Sequence, residues 1–404
     1  MRILVVSQNF YPDHFQINQI TQDWVKAGHE VTVLTGLGDY STSHINPRYR
    51  YGRHRNEEYH GVKIHRVRAI ARHHGALWRS LNYLSFALNG WVWAQRTQQQ
   101  FDIVYVYEVS PITQLIPALR YARRYHVPLA VYVLDIWPEA VKAMHINEGT
   151  WPFKIIHKLS KYLYQQADGL AVSSPSFAQY LQIVDNVNKK IQFIPQYANK
   201  LDLSHAKPAF NEQKGITDFV FTGNIGLVQD LETVIRASKR LINAGLNDKF
   251  RVHLIGDGSD LVHLKKLVTT NDLNEQIIFY GRQPVTKMID YYAAADACLL
   301  TLSGANKIGW TIPAKLQGYL AAGKPVIAAI DGDAQTVIKQ AKCGLYANAG
   351  DDAGLAKQMQ HFIELKSAQR SLMGQNGKHY FLTHYQRQQF NQNMLTWLKS
   401  LVIK

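Results

Sequence analysis

The chain has 404 residues, of which 46% are hydrophobic and 19% are charged, a mixture too apolar for a disordered tail. This length predicts a globular protein of two domains with roughly 200 residues each. Lys and Arg number 45 against 30 Asp and Glu, so we expect an anionic partner.

Short apolar runs rich in β-branched residues alternate with amphipathic stretches of helical length along the whole chain, a pattern typical of parallel sheets covered by helices. In the first half, strands are predicted at Ile3–Ser7, Glu30–Thr35, Val62–Val67, Ile103–Tyr107, Leu129–Leu134, Leu170–Ser173 and Ile191–Ile194. In the second half they are predicted at Phe219–Thr222, Arg251–Ile255, Ile277–Tyr280, Ala297–Leu302 and Val326–Ile330. The fold class is therefore α/β, with two doubly wound domains that bind ligands beyond the carboxyl ends of their strands, in a cleft between them.

A polar stretch, Gln196 to Gln213, interrupts the pattern between the two series of strands and predicts a linker. The predicted first domain covers residues 1–197 and the second covers residues 198–380. The remaining residues, 381–404, contain a helix-length run from Tyr385 to Leu401 that could return to the first domain.

The compartment is predicted from three features. Cys298 and Cys343 lie in apolar contexts that favour buried thiols over a disulfide, which fits a reducing cytosol. The first apolar run is too short for a signal peptide. The sequence contains no stretch of ~18 uninterrupted apolar residues, the length that would predict a membrane span. We expect a cytoplasmic protein.

A short glycine-containing loop, Gly223–Gly226, directly follows one predicted strand and precedes a helical run. Glycines let a backbone approach an anion, and a helix N-terminus supplies free N–H groups. Gly223, Asn224 and Gly226 are therefore candidates for a phosphate-binding loop, with an ordinary βα turn as the alternative.

A second candidate lies in the segment 308–327, where Thr311 could cap a helix and Pro313 fits its first turn. Lys315 then lies in the opening turn, where a cation is unfavourable unless an anion neutralises it. The sequence thus predicts an anionic ligand at Lys315; the alternative is a solvated surface lysine.

The motifs at these positions resemble glycosyltransferase family 4, most closely its bacterial branch that builds O-antigen, capsule and exopolysaccharide. The matching segments are PAK and YLAAGKPVI in 313–327, TGNIG and QDLETVI in 222–235, SQNFYP and GHEVTVLTG in 7–36, LDIWPE in 134–139 and GDG in 256–258. The resemblance implies a GT-B fold of two Rossmann-like domains, with the nucleotide sugar held mainly by the second. It also implies transfer with retained configuration, no bound metal, a lipid-linked glycan acceptor, and polysaccharide-assembly proteins as possible partners.

The sequence departs from the family pattern at the donor site. The two glutamates that the family usually places before Gly-Lys-Pro would fall at Trp310 and Gly318. Its usual Arg and Lys on the diphosphate would fall at Asn224 and Gln229. Lys315 and Arg282, which follows a predicted strand, are the best replacement cations.

Carboxylates at predicted strand ends of the first domain are the candidates for catalysis. Asp135 follows the strand Leu129–Leu134 and Glu108 ends the neighbouring one, so either could orient or deprotonate an acceptor hydroxyl. Helix capping or pairing with an arginine is the alternative for both. Asp13 and His14, in the loop after the first strand, could contact a sugar or phosphate.

A metal site is not expected. Asp331 and Asp333 flank Gly332 and could share a divalent ion with a diphosphate, but a turn after the strand Val326–Ile330 explains them better. No cluster of Cys and His has zinc-site spacing.

A basic segment precedes an amphipathic helix that carries tryptophans. Residues 48–79 contain nine Lys or Arg against two Glu, and apolar residues follow at spacings of four and three: Leu77, Leu81, Leu84, Leu88 and Trp91. Such a helix can lie in the headgroup region of an anionic membrane. The alternative is that its apolar face packs on the sheet. We expect peripheral attachment to the inner face of the plasma membrane.

The leading hypothesis is sugar transfer from a nucleotide sugar to a lipid-linked acceptor. A noncatalytic partner of an active glycosyltransferase is the second, because the glutamates are missing, and a nucleotide-sugar epimerase on the same fold is the third. Nucleic-acid binding is suggested only by charge and lacks a motif.

Overall fold

A computed structural model of the chain describes residues 1–38, 40, 43–73, 75–144, 146–304 and 310–403. The chain divides into two compact units, unit 1 with Met1–Ile194 and Asn391–Lys404, and unit 2 with Pro195–Phe390. The division thus falls shortly before the boundary that the sequence predicts after residue 197.

Unit 1 is a doubly wound α/β unit. Its strands are β1 Arg2–Val6, β2 Glu30–Thr35, β3 Asn56–Tyr59, β4 Val62–Arg66, β5 Ile103–Glu108, β6 Leu129–Val133, β7 Gly169–Val172 and β8 Ile191–Phe193. Its helices before the linker are α1 Gln16–Lys26, α2 Ala76–Arg96, α3 Leu115–Tyr125, α4 Trp151–Gln166 and α5 Pro175–Ile183. The strand order is β3-β4-β2-β1-β5-β6-β7-β8, and β3 pairs antiparallel with β4 whereas the other pairs are parallel.

Unit 2 repeats this plan with a smaller sheet. Its strands are β9 Thr217–Thr222, β10 Phe250–Ile255, β11 Ile277–Gly281, β12 Ala297–Thr301, β13 Val326–Ala329 and β14 Gly344–Ala347. Its helices are α6 Leu231–Asn243, α7 Leu261–Thr270, α8 Met288–Ala294, α9 Ala314–Ala322, α10 Gly332–Ala341, α11 Asp352–Glu364 and α12 Ser367–His384. The order β11-β10-β9-β12-β13-β14 is parallel throughout.

The predicted strands agree with the sheets, and two further strands appear among the described residues. β3 reads Asn-Glu-Glu-Tyr, with no apolar run that could predict it, because this edge strand pairs only with β4. β14 is a short edge strand that begins with Gly344 and pairs only with β13. An edge strand buries less surface than a central one, so its sequence carries a weaker apolar signal.

The last helix, α13 Arg387–Val402, crosses the division between the units. From Asn391 onward it belongs to unit 1, where the Asn391 amide donates to the Asp23 carboxylate at 2.8 Å and Leu401 packs against Gly169. The return to unit 1 therefore starts later than the predicted residue 381, because α12 keeps Phe381 in the core of unit 2.

The order of each sheet reverses beside one central strand. In unit 1 this point lies between β1 and β5, and in unit 2 between β9 and β12. Both β5 and β9 are buried along their whole length, as parallel sheets covered on two faces require. Loops at the carboxyl ends of these strands are where doubly wound units bind ligands.

Candidate donor and acceptor sites

Two glycine loops run against each other beyond the ends of β9 and β10. The Gly223 N–H donates to the Ile255 carbonyl and the Ile225 N–H to the Asp257 carbonyl, both at 2.9 Å. A Cβ at Gly256 would lie 1.8 Å from the Gly223 carbonyl oxygen. Only glycine permits this approach, so the loop predicted from Gly223–Gly226 has a second glycine loop as its structural partner.

A cavity of about 770 Å³ lies at these loops, a volume that suits a small ligand. Gly223, Asn224 and Arg282 line it, so the fold brings three of the predicted donor-site residues together. Gly226 lies beside this group, where its N–H donates to the Gln229 side chain at 3.2 Å. The remaining lining residues are Thr222, Ile255, Gly256, Asp257, Gly258, Gln283, Val285 and Met288.

The predicted cation Lys315 reaches the same loop from α9. Its ammonium lies 4.0 Å from the centre of the Phe221 ring, and the end of its side chain approaches Gly223. The nitrogen is buried and has no hydrogen-bond partner among the described residues. Burial lowers the pKa of Lys315 to about 7. A buried amine without a counter-charge is costly, and an anion at Gly223 would compensate it.

The start of α9 differs from the prediction in detail. The helix begins at Ala314, so Pro313 occupies the cap position instead of the first turn, and no side chain caps it. Thr311 therefore does not act as the cap. Lys315 still lies in the opening turn, as predicted. Of the segment singled out in the sequence, residues 308 and 309 lie outside the described residues.

Neutral side chains occupy the positions where the family usually carries cations. The Asn224 amide donates to the Gln229 side-chain carbonyl at 3.2 Å, so these two residues meet at the edge of the loop. Arg282 is exposed at the cavity. Among the described residues, Arg282 is the cation that lines this cavity, and Lys315 approaches the lining residue Gly223 from α9.

In unit 1, the predicted residue Asp135 follows β6 and is half-buried. Its carboxylate accepts hydrogen bonds from the Ser110 backbone N–H at 3.0 Å and from the Ser110 hydroxyl at 2.9 Å. The Trp137 indole N–H donates to the same hydroxyl at 3.2 Å. These contacts hold the carboxylate at the end of the sheet, where an orienting group for an acceptor is expected.

Glu108 ends β5 but is fully buried. The Tyr164 hydroxyl donates to one of its oxygens at 3.4 Å, while the other has no partner among the described residues. Burial, with the charge of Asp135 as a smaller cause, raises the pKa of Glu108 well above its ordinary value. Because Glu108 is fully buried whereas Asp135 is half-buried, Asp135 is the better placed of the two to reach an acceptor.

The loop after β1 places Asp13 and His14 differently. Asp13 is buried, and its carboxylate accepts a hydrogen bond from the Tyr40 N–H at 3.2 Å. It therefore fixes a neighbouring loop instead of presenting a carboxylate to a ligand. His14 is exposed and stays a candidate contact for a sugar or phosphate.

The remaining predictions concern metals and thiols. Asp331 precedes α10 and accepts a hydrogen bond from the Ala349 N–H at 3.0 Å, which supports the turn interpretation. No group of three or more His, Cys, Asp or Glu in the described ranges could hold a metal ion. Cys298 and Cys343 are free and buried, as predicted.

The sequence did not single out Ser110, and it offered Trp137 and Gln229 only through their motif positions, without the contacts that they make. Ser110 lies just past β5, at a strand end next to Asp135, and this position was the one available signal. Gly256 was noticed as part of a motif, but its contact with Gly223 depends on the pairing of β9 and β10.

Comparison with known proteins gives two family matches, one for each unit. Residues 15–196 match the glycosyl transferase 4-like domain, and residues 203–380 match the glycosyl transferases group 1. The chain is 27% identical over 278 residues to the probable glycosyltransferase WbjE of Pseudomonas aeruginosa, covering 65% of this chain and 68% of that protein. It is 23% identical over 360 residues to the putative colanic acid biosynthesis glycosyl transferase WcaI of Escherichia coli K12, covering 84% and 85%.

A solved structure shares the fold. HepE of Anabaena, determined in complex with UDP, superposes with a TM-score of 0.70 at 15% identity and covers 99% of this chain and 100% of that one. Both units thus carry sequence matches to glycosyltransferase domains, and their sheets have the topology of that fold. The chain belongs to the glycosyltransferases of the GT-B fold, with a family 4-like first unit and a group 1 second unit.

Proposed function

We propose that this glycosyltransferase transfers a hexosyl or related sugar from a nucleotide sugar to a lipid-linked glycan acceptor, with retention of configuration, in cell-surface polysaccharide biosynthesis. The donor assignment depends on the ammonium of Lys315, which is buried beside the Gly223 loop and has no hydrogen-bond partner among the residues that the structure describes. A diphosphate at this loop would supply the missing negative charge. The UDP in the structure of HepE supports a nucleoside diphosphate as the bound group.

The proposed chemistry is electrostatic. The leaving diphosphate gains charge as the glycosidic bond breaks, and fixed positive groups stabilise that charge more in the transition state than in the ground state. Lys315 and Arg282 would supply these groups, so the proposed reaction needs no bound metal. Asp135 would orient or deprotonate the acceptor hydroxyl, held in place by Ser110.

The acceptor and the process are proposed from family likeness and from one surface of unit 1. WcaI is named for colanic acid biosynthesis, and retention is what the family resemblance implies. A lipid-linked acceptor requires an enzyme that works at a membrane surface. The structure has a helix suited to that task.

Helix α2 has one packed face and one exposed face. Phe86, Ala87 and Ala94 are buried, and Gly90 lies close to Pro117 of α3. On the other face Leu77, Leu84 and Leu88 are 69%, 57% and 64% exposed, with Trp78 and Trp91 beside them. The buried face packs inside unit 1, as one sequence interpretation predicts, and the exposed face supports the proposed membrane contact.

The exposed face supports peripheral attachment to the inner face of the plasma membrane. Apolar and aromatic side chains next to basic residues are typical of helices that lie in the headgroup region. No helix in the described ranges is long and apolar enough to cross a membrane.

The purified chain, tested against a panel of nucleotide sugars, provides the decisive experiment. The cognate donor should raise the unfolding temperature, because it binds only the folded state, and should then support transfer to a lipid-linked acceptor. NMR of the product would establish whether configuration is retained. Donor binding without transfer by the chain alone would instead favour a noncatalytic partner, and product formation without acceptor would favour an epimerase.

A further inference from the structure

A second cavity, of about 740 Å³, lies in unit 1 beyond the carboxyl ends of β2 and β4. Its charged and titratable lining consists of Arg50, Arg55, Arg68, His44 and His73, apart from tyrosines. None of the described residues that line it is acidic. Nothing in the proposed donor site or in the Asp135 site uses this cavity.

The arginines of this cavity lie apart from the acidic side chains that the structure describes. Within the described part of the chain, Arg50, Arg55 and Arg68 make no ion pair. Glu57, from the same segment, is already bound by Arg48 at 2.9 Å and by Arg66 at 2.6 Å. Three guanidinium groups thus line a concave site to which the described residues contribute no carboxylate.

The clustering of these arginines is electrostatically unfavourable for Arg55, which is half-buried. Burial, and the charge of Arg68 after it, lower the pKa of Arg55. Like charges that share a site destabilise each other, so an anion would bind there favourably. Guanidinium groups bind phosphate oxygens through paired hydrogen bonds, which makes a phosphate or diphosphate the matching chemistry.

An apolar surface continues from the cavity. The His73 ring, which lines the cavity, lies 5.1 Å from the ring of Trp78, measured between ring centres. Trp78 is in the first turn of α2, and the exposed residues Leu77, Leu84 and Leu88 extend along that helix. A cationic pocket next to an apolar strip fits a molecule with a phosphorylated head and a hydrocarbon chain.

We infer that the Arg50–Arg55–Arg68 cavity binds the diphosphate head of an amphipathic prenyl lipid, whose chain lies along the exposed face of α2. This inference rests on the proposed function, because it places the lipid diphosphate of the acceptor in unit 1. It goes further than membrane attachment, since it assigns one lipid head to a defined pocket instead of a diffuse charge to the surface.

The test is calorimetric binding of three probes to the full chain: farnesyl diphosphate below its micelle concentration, inorganic pyrophosphate and farnesol. Farnesyl diphosphate should bind most tightly, because it offers both the head and the chain. In the double variant R50Q/R68Q both diphosphate probes should bind at least about tenfold more weakly. Both side chains are exposed, so their replacement should leave the fold intact.

Two control variants separate the pocket from general effects. R53Q removes an equally exposed arginine of the same segment that does not line the cavity, and it should bind all probes like the unmodified chain. L84S/L88S should lose the advantage of farnesyl diphosphate over pyrophosphate and leave pyrophosphate binding unchanged. Because the donor cavity is the same in all variants, its own affinity for pyrophosphate cancels in these comparisons.

Equal losses in R53Q and R50Q/R68Q, or no loss in R50Q/R68Q, would overturn the inference. So would equal affinity for farnesyl diphosphate and pyrophosphate in the unmodified chain. UDP binding, measured on the same samples, reports the donor site in unit 2. Retained UDP binding with failed prenyl diphosphate binding would reject this pocket alone, whereas absent UDP binding would reject the proposed donor site.

Discussion

The side chain of Lys315 lies so close to Gly223 that a Cβ at residue 223 would come within 2.5 Å of the lysine Cε. Gly223 also has a φ of +130°, a conformation that few residues other than glycine adopt. The Gly223 loop and the Lys315 side chain therefore pack against each other, although they lie on different βα segments.

Replacing Lys315 with Ala should weaken nucleotide-sugar binding or turnover by at least about tenfold, equivalent to ~1.4 kcal/mol for one charge-assisted contact. Titration calorimetry and donor kinetics measure this loss. K266A, which removes an exposed lysine of α7 in the same unit, is the matched control and should behave like the unmodified enzyme. Unchanged donor kinetics in K315A would remove Lys315 from the site.

The affinity for UDP should fall as pH rises above about 7. The free enzyme has a Lys315 pKa of about 7, and a bound diphosphate would raise that pKa toward its ordinary value, so binding takes up a proton. Calorimetry in buffers of different ionisation enthalpy detects this uptake. K315M should abolish both the proton uptake and the associated pH slope. A pH-independent affinity between pH 7 and 9 would contradict the prediction.

The same pKa has a consequence for the stability of the free enzyme. The unfolded chain binds more protons at Lys315 than the folded one between pH 7 and its ordinary pKa of 10.5. The contribution of Lys315 to the free energy of unfolding should therefore increase as pH rises from 7 toward 10.5. Denaturant titrations of the enzyme and of K315M at pH 7 and pH 9 would measure the difference.

Replacing Asp135 with Asn should preserve the fold and the donor affinity but suppress transfer. The Asn carbonyl oxygen can still accept the hydrogen bonds from Ser110, whereas the negative charge that orients or deprotonates the acceptor is lost. Single-turnover transfer and UDP binding separate the two effects. Full transfer in D135N would assign the proton to the leaving phosphate instead.

Replacing Glu108 with Gln should leave transfer intact. Burial raises the pKa of Glu108 well above its ordinary value and so favours the uncharged form. Gln matches the shape of that form, so the free energy of unfolding should change by less than about 1 kcal/mol. The folded state binds more protons than the unfolded one above pH 4.5, so this carboxyl lowers stability as pH rises. E108Q should reduce that slope in denaturant titrations. Loss of transfer in a folded E108Q protein would make Glu108 the better catalytic candidate.

The enzyme should co-sediment with anionic liposomes at low salt, and binding should fade as salt rises because the cationic contribution is screened. L84S/L88S should weaken binding, because it removes exposed apolar side chains of α2 from the headgroup region. L372S, which changes an exposed leucine of α12 in unit 2, is the control and should bind normally. Equal binding to neutral and anionic vesicles, or none to either, would argue against this surface.

The sequence by itself determined the strands that lie inside the sheets and the first-turn position of Lys315. Apolar runs and the period of a helix are local properties, so a parallel strand such as β9 and a helix such as α9 can be identified from neighbouring residues alone. The edge strands β3 and β14 escaped this reasoning because one reads Asn-Glu-Glu-Tyr and the other begins with glycine. The edge strands β8 and β11 begin with isoleucine and were predicted.

Only the tertiary structure decided which of the strand-end groups are accessible. Glu108 and Asp135 look equivalent in the sequence, since each lies at the end of a predicted strand. In the structure Glu108 is fully buried and hydrogen-bonded to Tyr164, whereas Asp135 is half-buried and hydrogen-bonded to Ser110. The contact of Lys315 with Gly223 likewise joins residues from different βα segments, and the antiparallel pairing of β3 with β4 brings Arg68 near Arg55. Burial and pKa depend on the atoms around a group in space, and strand order, which places distant segments side by side, sets those atoms.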